Sequence, residues 1–109
     1  MKVKFRLKKN EDFQKVIHDN KKISNQVFVL YFKKNSLDHA RIGISTSKKL
    51  GCAVIRNRIR RQVRVMAVSL INLQVNQDYI LIVRKKYLEN TYQKNMEELQ
   101  RLLSKIKEN

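Results

Sequence analysis

Helical spacing of apolar residues predicts the first element of the chain. Phe13, Val16 and Ile17 lie at positions i, i+3 and i+4, which places them on one face of a helix. Two acidic residues at the start of this stretch suit the positive end of the helix dipole. We therefore predict a helix over residues 10–19, with Asn10 as its cap.

Two stretches rich in β-branched and aromatic residues predict strands. Residues 26–33 are apolar at every position from Val27 to Phe32, which is typical of a strand covered on both faces. Residues 40–46 alternate in polarity and follow a polar turn, so we predict a second strand paired with the first as a hairpin. Gly43 within this strand indicates a bulge or the close approach of another group.

The second half of the chain predicts a helix, a strand and a final helix. We place them at residues 53–73, 78–84 and 91–107. The core stripe of the long helix recurs every three or four residues: Ile55, Ile59, Val63, Met66, Leu70 and Leu73. This order of elements predicts one domain over residues 1–109, an α/β (α+β) two-layer sandwich. Its strand–helix–strand unit should bring two strands parallel, with a right-handed crossover by the general rule.

The charge of the chain indicates more about its function than its length does. The chain of 109 residues has a formal net charge of +16, which favours a polyanionic partner such as nucleic acid. It has sixteen lysines and nine arginines, yet residues 56–64 contain five arginines and no lysine. Residues 39–77 contain no acidic residue that could pair with these arginines locally. A guanidinium binds phosphate with two parallel hydrogen bonds, so we predict that this segment faces another molecule.

The predicted binding residues have alternative interpretations. The helical wheel places five residues opposite the core stripe: Arg56, Asn57, Arg60, Arg61 and Arg64. The alternative interpretation of this face is a charged surface that contacts only solvent. The Asn57 amide could contact a base, a 2′-hydroxyl or a metal-bound water, or it could simply face solvent. Two aromatic residues, Phe13 and Tyr31, could stack on unpaired bases or belong to the core.

Several classes of function find no support in the sequence. The single Cys52 excludes an internal disulfide and a cysteine-based zinc site, and we expect it to be buried or half-buried. His18 and His39 have no partners at metal or triad spacing, and the carboxylates are too scattered for a two-metal nuclease site. We predict no catalytic and no metal-binding residues. No apolar run has the length of a signal peptide or membrane span, so we expect a cytoplasmic protein without membrane contact.

Three blocks of sequence resemble one known family. Residues 48–61 (KKLGCAVIRNRIRR) closely resemble the signature of the bacterial ribonuclease P protein component, whose RNR motif corresponds to Arg56, Asn57 and Arg58. Residues 6–13 resemble the family's N-terminal block, and residues 79–84 resemble its last strand. The resemblance covers nearly the whole chain in the right order.

The resemblance implies a specific function. Members bind a large catalytic RNA, which carries the active site and most of the Mg²⁺, and the complex removes the 5′ leader of precursor tRNA as an endoribonuclease. The protein is not catalytic alone and is expected to be monomeric. The residues that match the side facing the catalytic RNA are Lys48, Lys49, Arg56, Asn57, Arg58, Arg60, Arg61 and Arg64. Those that match the leader cleft are Phe13, Ile17 and Tyr31, although an aromatic residue is common where this chain has Ile17.

The family resemblance also implies a fold. It is similar to the second domain of ribosomal protein S5 and has a left-handed βαβ crossover, which replaces the right-handed expectation. Two other functions remain open from the residues alone: a ribosomal or other structural RNA-binding protein, and a DNA-binding protein that uses the arginine helix for recognition.

Overall fold

A computed structural model describes residues 3–7, 10–19 and 21–106 of the chain. It contains three α-helices and four strands among these residues. In chain order they are α1 (Asn10–His18), β1 (Lys22–Ser24), β2 (Phe28–Lys34), β3 (Arg41–Thr46), α2 (Ala53–Leu70), β4 (Gln77–Val83) and α3 (Tyr92–Ser104). Short 3-10 turns precede α2 at Lys48–Leu50 and α3 at Lys85–Glu89. The prediction of a mixed α/β fold is confirmed.

The four strands form one sheet in the order β1-β2-β4-β3. β4 lies antiparallel to β2 and parallel to β3, so the predicted parallel pair is confirmed. The predicted hairpin between β2 and β3 is wrong, because β4 is inserted between them. β4 has the longest run of large apolar residues after β2, and a central position buries both of its faces. β3 is more polar and lies at the edge.

The main core lies between one face of the sheet and helices α2 and α3. Side chains from alternate positions of β2 and β4 point into it, with Phe28 opposite Val83 and Leu30 opposite Leu81. The stripe predicted for α2 also faces this core: Ile59, Val63 and Met66 are buried, and Ile55, Leu70 and Leu73 pack at its margin. The sheet therefore fixes the rotation of α2 about its axis, and with it the directions of the arginines.

Helix α1 covers part of the other face of the sheet. Val16 is buried there with Leu7 and Ile80, and Phe13, Ile17, Tyr31 and Ile82 pack around them. The Phe13 ring lies so close to Gly43 that a Cβ on this glycine would come within 2.5 Å of the ring carbon Cζ. The close approach predicted at Gly43 is thus confirmed, and the approaching group is Phe13.

Some element boundaries differ from the predicted ones. Residues 22–24 precede the strands predicted from the sequence and form the short edge strand β1, in which only Ile23 is apolar and packs on the core. Helix α2 ends at Leu70 because Ile71 adopts an extended backbone with ψ of 133°. Helix α1 begins at Asn10 itself, and the capping role predicted for this residue rests on a side chain outside the described part of the structure. The last residue predicted for α3, residue 107, also lies outside the described residues. The handedness of the βαβ crossover stays a prediction.

Cys52 was expected to be buried or half-buried, and this prediction is wrong. Its thiol is exposed because Cys52 precedes the first turn of α2, where the chain leaves the 3-10 turn and enters the helix. Backbone N–H groups of Ile55 and Val54 at this helix start lower the pKa of the thiol.

Candidate nucleic-acid interface

Three arginines of α2 lie four residues apart along the flank of the helix that faces β3. We call Arg56, Arg60 and Arg64 the arginine row. All three side chains are half-buried. The Nε atoms of Arg56 and Arg64 are buried and have no hydrogen-bond partner among the described residues, and the same holds for Nε of Arg6. In the part of the chain that the structure describes, the row has no ion-pair partner either.

Arg60 is held in place by two neutral groups. Its Nη1 donates to Thr46 Oγ1 at the end of β3, at 2.7 Å. Its Nη2 donates to Asn57 Oδ1, one turn earlier on α2. Neither acceptor neutralises the guanidinium, so Arg60 is oriented while its positive charge stays unpaired.

Arg64 shows the electrostatic consequence of this crowding. Burial is the main cause that lowers the pKa of its guanidinium, and the charges of Arg6 and Arg60 lower it further. Like charges packed side by side repel each other, and a bound phosphate would relieve that repulsion. The arginine row is therefore a cluster of positive charge without a counter-charge among the described residues.

Arg41 contrasts with the row, although the sequence placed it in the same acid-free segment. Its Nη2 donates to Asp78 Oδ2 at 2.7 Å and its Nε to Asp78 Oδ1 at 2.9 Å, while Nη1 donates to Asp12 Oδ2 at 3.1 Å. The hydrogen bonds to Asp78 are the main cause that raises the pKa of Arg41. The absence of acidic residues from segment 39–77 therefore does not leave Arg41 unpaired, since strand β4 and helix α1 bring in acids that are distant in sequence.

The other predicted binding residues occupy different parts of the surface. Lys48 and Lys49 are exposed on the 3-10 turn before α2. Asn57 and Arg61 are exposed on the outer side of the helix. Arg58 points the other way from the row, into a cleft between α2 and α3. The basic residues thus lie on three sides of α2. The helical wheel had predicted that Arg56, Asn57, Arg60, Arg61 and Arg64 share one face.

The three residues predicted for the second site lie together where α1 crosses the sheet. Phe13, Ile17 and Tyr31 are all half-buried and pack against the same small apolar cluster. The Nζ of Lys22 lies 5.7 Å from the centre of the Tyr31 ring. A cavity of about 240 Å³ is lined by both Phe13 and Arg64. The aromatic site, which we call the α1 cleft, therefore adjoins the arginine row.

The described residues contain no group of three or more histidine, cysteine or carboxylate side chains placed to hold a metal ion. His39 is engaged by the fold, with Nδ1 3.0 Å from Asp38 Oδ1 and Nε2 3.0 Å from the carbonyl oxygen of Lys4. None of the helices in the described ranges is both long and apolar enough to cross a membrane.

Comparison with known sequences identifies the family. The family model described as Ribonuclease P matches residues 1–107. The chain belongs to the ribonuclease P protein family. The ribonuclease P protein component of Bacillus pumilus is 43% identical over 107 residues, covering 96% of this chain and 90% of that protein. The one of Mesoplasma florum is 39% identical over 105 residues, covering 94% and 96%.

Solved structures of ribonuclease P proteins share the fold. The Staphylococcus aureus protein is 37% identical with a TM-score of 0.84, covering 94% of this chain and 95% of that one. The Thermotoga maritima protein is 30% identical with a TM-score of 0.80, covering 92% and 96%. The two relatives are named ribonuclease P protein components, and the two solved structures are of ribonuclease P proteins.

Two residues of this site, Arg6 and Thr46, were not identified from the sequence. Arg6 belongs to the N-terminal block of the resemblance, but its proximity to Arg64 depends on a bridge between Arg6 and Ile42 that brings it to the sheet edge. Thr46 is the last residue of β3, and no pattern in the sequence indicates that its hydroxyl accepts from Arg60.

Proposed function

We propose that this chain is the RNA-binding protein subunit of ribonuclease P, and that the arginine row contacts phosphates of the catalytic RNA. The observation that carries the proposal is the row itself. Its three side chains are half-buried, Arg60 is positioned by Thr46 and Asn57, and none of the three has an acidic partner among the described residues. Arginine in such a setting suits phosphate, which accepts two hydrogen bonds from one guanidinium. Lys48, Lys49, Arg58 and Arg61 extend the positive surface around the same helix.

The α1 cleft is the proposed site for the 5′ leader of precursor tRNA. Unpaired bases bind aromatic surfaces because each base can stack, with about 1–3 kcal/mol per base. Phe13 and Tyr31 supply such surfaces next to Ile17, and the adjoining arginine row supplies positive charge for the backbone. A leader strand of a precursor tRNA bound beside the catalytic RNA would therefore enter the cleft next to the arginine row.

In this proposal the chemistry belongs to the RNA. The catalytic RNA holds the Mg²⁺ ions required for phosphodiester hydrolysis, and the protein binds and orients the precursor. We expect the free protein to be monomeric and the complex to act in the cytoplasm, where precursor tRNA is made.

Reconstitution with the cognate catalytic RNA tests the function. Precursor tRNA should be cleaved at low millimolar Mg²⁺ when protein and RNA are both present, and poorly when the protein is omitted. Equal cleavage with and without the protein would refute the proposal. Stable association with ribosomal subunits after salt washing, combined with no effect on cleavage, would favour a structural RNA-binding role.

A substitution in the α1 cleft tests leader binding. Phe13→Leu keeps an apolar side chain but removes the aromatic ring, so binding of precursor tRNA should weaken by about 5- to 150-fold, equivalent to about 1–3 kcal/mol. Binding of mature tRNA, which has no leader, should not change. The matched control is Phe32→Leu, which makes the same change on the opposite face of the sheet. Equal losses for both tRNAs would show that Phe13 serves only the core.

A further inference from the structure

A second cleft lies on the flank of α2 opposite the arginine row. It has a volume of about 230 Å³, which is below the roughly 300–1,000 Å³ of sites for drug-sized ligands. Arg58 and Gln62 of α2 form one wall. The opposite wall comes from the 3-10 turn before α3 and from the start of α3: Tyr87, Leu88, Asn90, Tyr92 and Asn95. We call it the α2–α3 cleft.

The walls of this cleft are held rigidly. Tyr87 is 4% exposed and packs edge-on against Phe28 of the core, with ring centres 5.9 Å apart. Its hydroxyl donates to Gln62 Oε1 at 2.7 Å, and burial is the main cause that raises its pKa to about 12. The buried Asn95 donates from Nδ2 to the carbonyl oxygen of Tyr87 and accepts from Asn90 Nδ2, each at 3.1 Å. Gln62 and Asn90 are therefore fixed in orientation.

These bonds leave one donor and one acceptor unused. Because the Gln62 oxygen accepts from Tyr87, its Nε2 is a donor, and it has no partner among the described residues. The Asn90 nitrogen is occupied by Asn95, so its Oδ1 is an acceptor, likewise without a partner in the described part of the chain. Every nucleobase presents neighbouring donors and acceptors along its Watson–Crick edge.

The rim supplies the other parts that a nucleotide requires. Tyr92 and Leu88 are 39% and 43% exposed, so an aromatic ring and an apolar side chain face the opening. Arg58 is exposed and has no carboxylate partner among the residues that the structure describes. Its charge lies near enough to lower the pKa of Tyr87, as a lesser effect than burial. A guanidinium at the edge of a small polar cleft suits a phosphate.

We propose that the α2–α3 cleft binds one unpaired nucleotide of an RNA strand, with its base between Tyr92 and the amides of Gln62 and Asn90 and its phosphate on Arg58. The proposal rests on RNA binding by α2 but assigns a site that neither the arginine row nor the α1 cleft includes. The net charge of +16 favours an RNA strand over a peptide as the occupant.

The first test uses the four nucleoside 5′-monophosphates as probes of the isotope-labelled full chain. Side-chain amide resonances of Gln62 and Asn90 should shift on titration in NMR spectra. Those of Asn72 and Gln74, beyond the other end of α2, should not. Preference among the four probes would identify the base. Absence of shifts at Gln62 and Asn90, or equal shifts at all four amides, would overturn the proposal.

The second test measures RNA binding by two variants. Tyr92→Leu removes the ring from an exposed position and should weaken RNA binding by about 5- to 150-fold, without changing its salt dependence. Gln62→Glu keeps the acceptor for Tyr87 but removes the donor, so it should weaken binding more than the charge-matched Gln74→Glu. Thermal unfolding of each variant checks that the fold is kept.

Separate measurements distinguish the source of the nucleotide. Loss of affinity for the catalytic RNA by Tyr92→Leu would place the nucleotide in that RNA, and loss only for precursor tRNA on the assembled complex would place it in the substrate. Unchanged affinity for both would overturn the proposal, even if the mononucleotides bind. That outcome would leave the proposed function intact, since protein-dependent cleavage of precursor tRNA tests it independently.

Discussion

Arg41 on β3 and the arginine row on α2 show that one residue type occupies two electrostatic settings in the same small fold. Arg41 is half-buried, like Arg56, Arg60 and Arg64. It makes hydrogen bonds to two carboxylates and has a raised pKa, whereas Arg64 is near other arginines and has a lowered pKa. Burial alone therefore does not separate a paired arginine from an unpaired one. The difference lies in whether the fold supplies the counter-charge.

The same contrast explains how the two sites are positioned. The bonds from Arg41 to Asp12 and Asp78 link α1, β3 and β4, and so hold α1 across the sheet. Phe13 lies on that helix, and its ring packs against Gly43. The paired arginine thus holds in place the helix that forms the α1 cleft, while the row beside it keeps its positive charge unpaired among the described residues.

The largest expected effect concerns Arg41. Arg41→Met should lower the free energy of unfolding by about 3–5 kcal/mol, because it leaves the buried Asp78 carboxylate without its partner. Denaturant unfolding measures this loss. Arg41→Lys, which keeps the charge but not the paired hydrogen bonds, should lose less. A variant Arg41→Met as stable as the parent protein would break the distinction between the two kinds of arginine.

Arg64 should respond in the opposite way. Arg64→Met removes a guanidinium that is repelled by Arg6 and Arg60, so the free energy of unfolding should fall by less than about 0.5 kcal/mol, or rise. The free energy of binding to the catalytic RNA should become less favourable by about 1.5–3 kcal/mol, which is the net contribution of a hydrogen bond to a charged group. Filter binding and denaturant unfolding give the two numbers. A large stability loss with unchanged RNA affinity would make Arg64 a structural residue.

Thr46 should give the smallest effect. Thr46→Val keeps the shape of the side chain but removes the hydroxyl that accepts from Arg60, so RNA affinity should fall by about 0.5–1 kcal/mol. The salt dependence of binding should stay as in the parent protein, because no charge is removed. A reduced salt dependence would mean that Thr46 does more than orient Arg60.

Much of the fold could be predicted because local patterns determine it. The core stripe of α2 and the apolar runs of β2 and β4 follow directly from spacing and residue type. Strand order could not be predicted in the same way. β2 and β3 are adjacent in sequence, and only the insertion of β4 between them shows that they do not pair.

The residues of the candidate site could also be predicted only where the signal is local in sequence. The arginines of α2 stand out in the sequence through the absence of nearby acids, but that test works only for neighbours along the chain. Asp12 and Asp78 reach Arg41 across 29 and 37 residues, so its pairing could not be predicted locally. Likewise Gln62, Asn90 and Tyr92 lie on separate elements, and only the packing of α2 against α3 brings them to one cleft.

The salt dependence of binding to the catalytic RNA tests the central claim most directly. Neutralising each phosphate contact contributes about 0.7–0.9 to the slope of log affinity against log salt concentration. Replacing Arg56, Arg60 and Arg64 together by Gln should reduce that slope by about 2–3. The charge-matched control replaces three cations that have carboxylate partners, Lys86, Lys94 and Arg101, and should change it much less. Equal slopes for the two triple variants would contradict the claim that the unpaired row is what binds RNA.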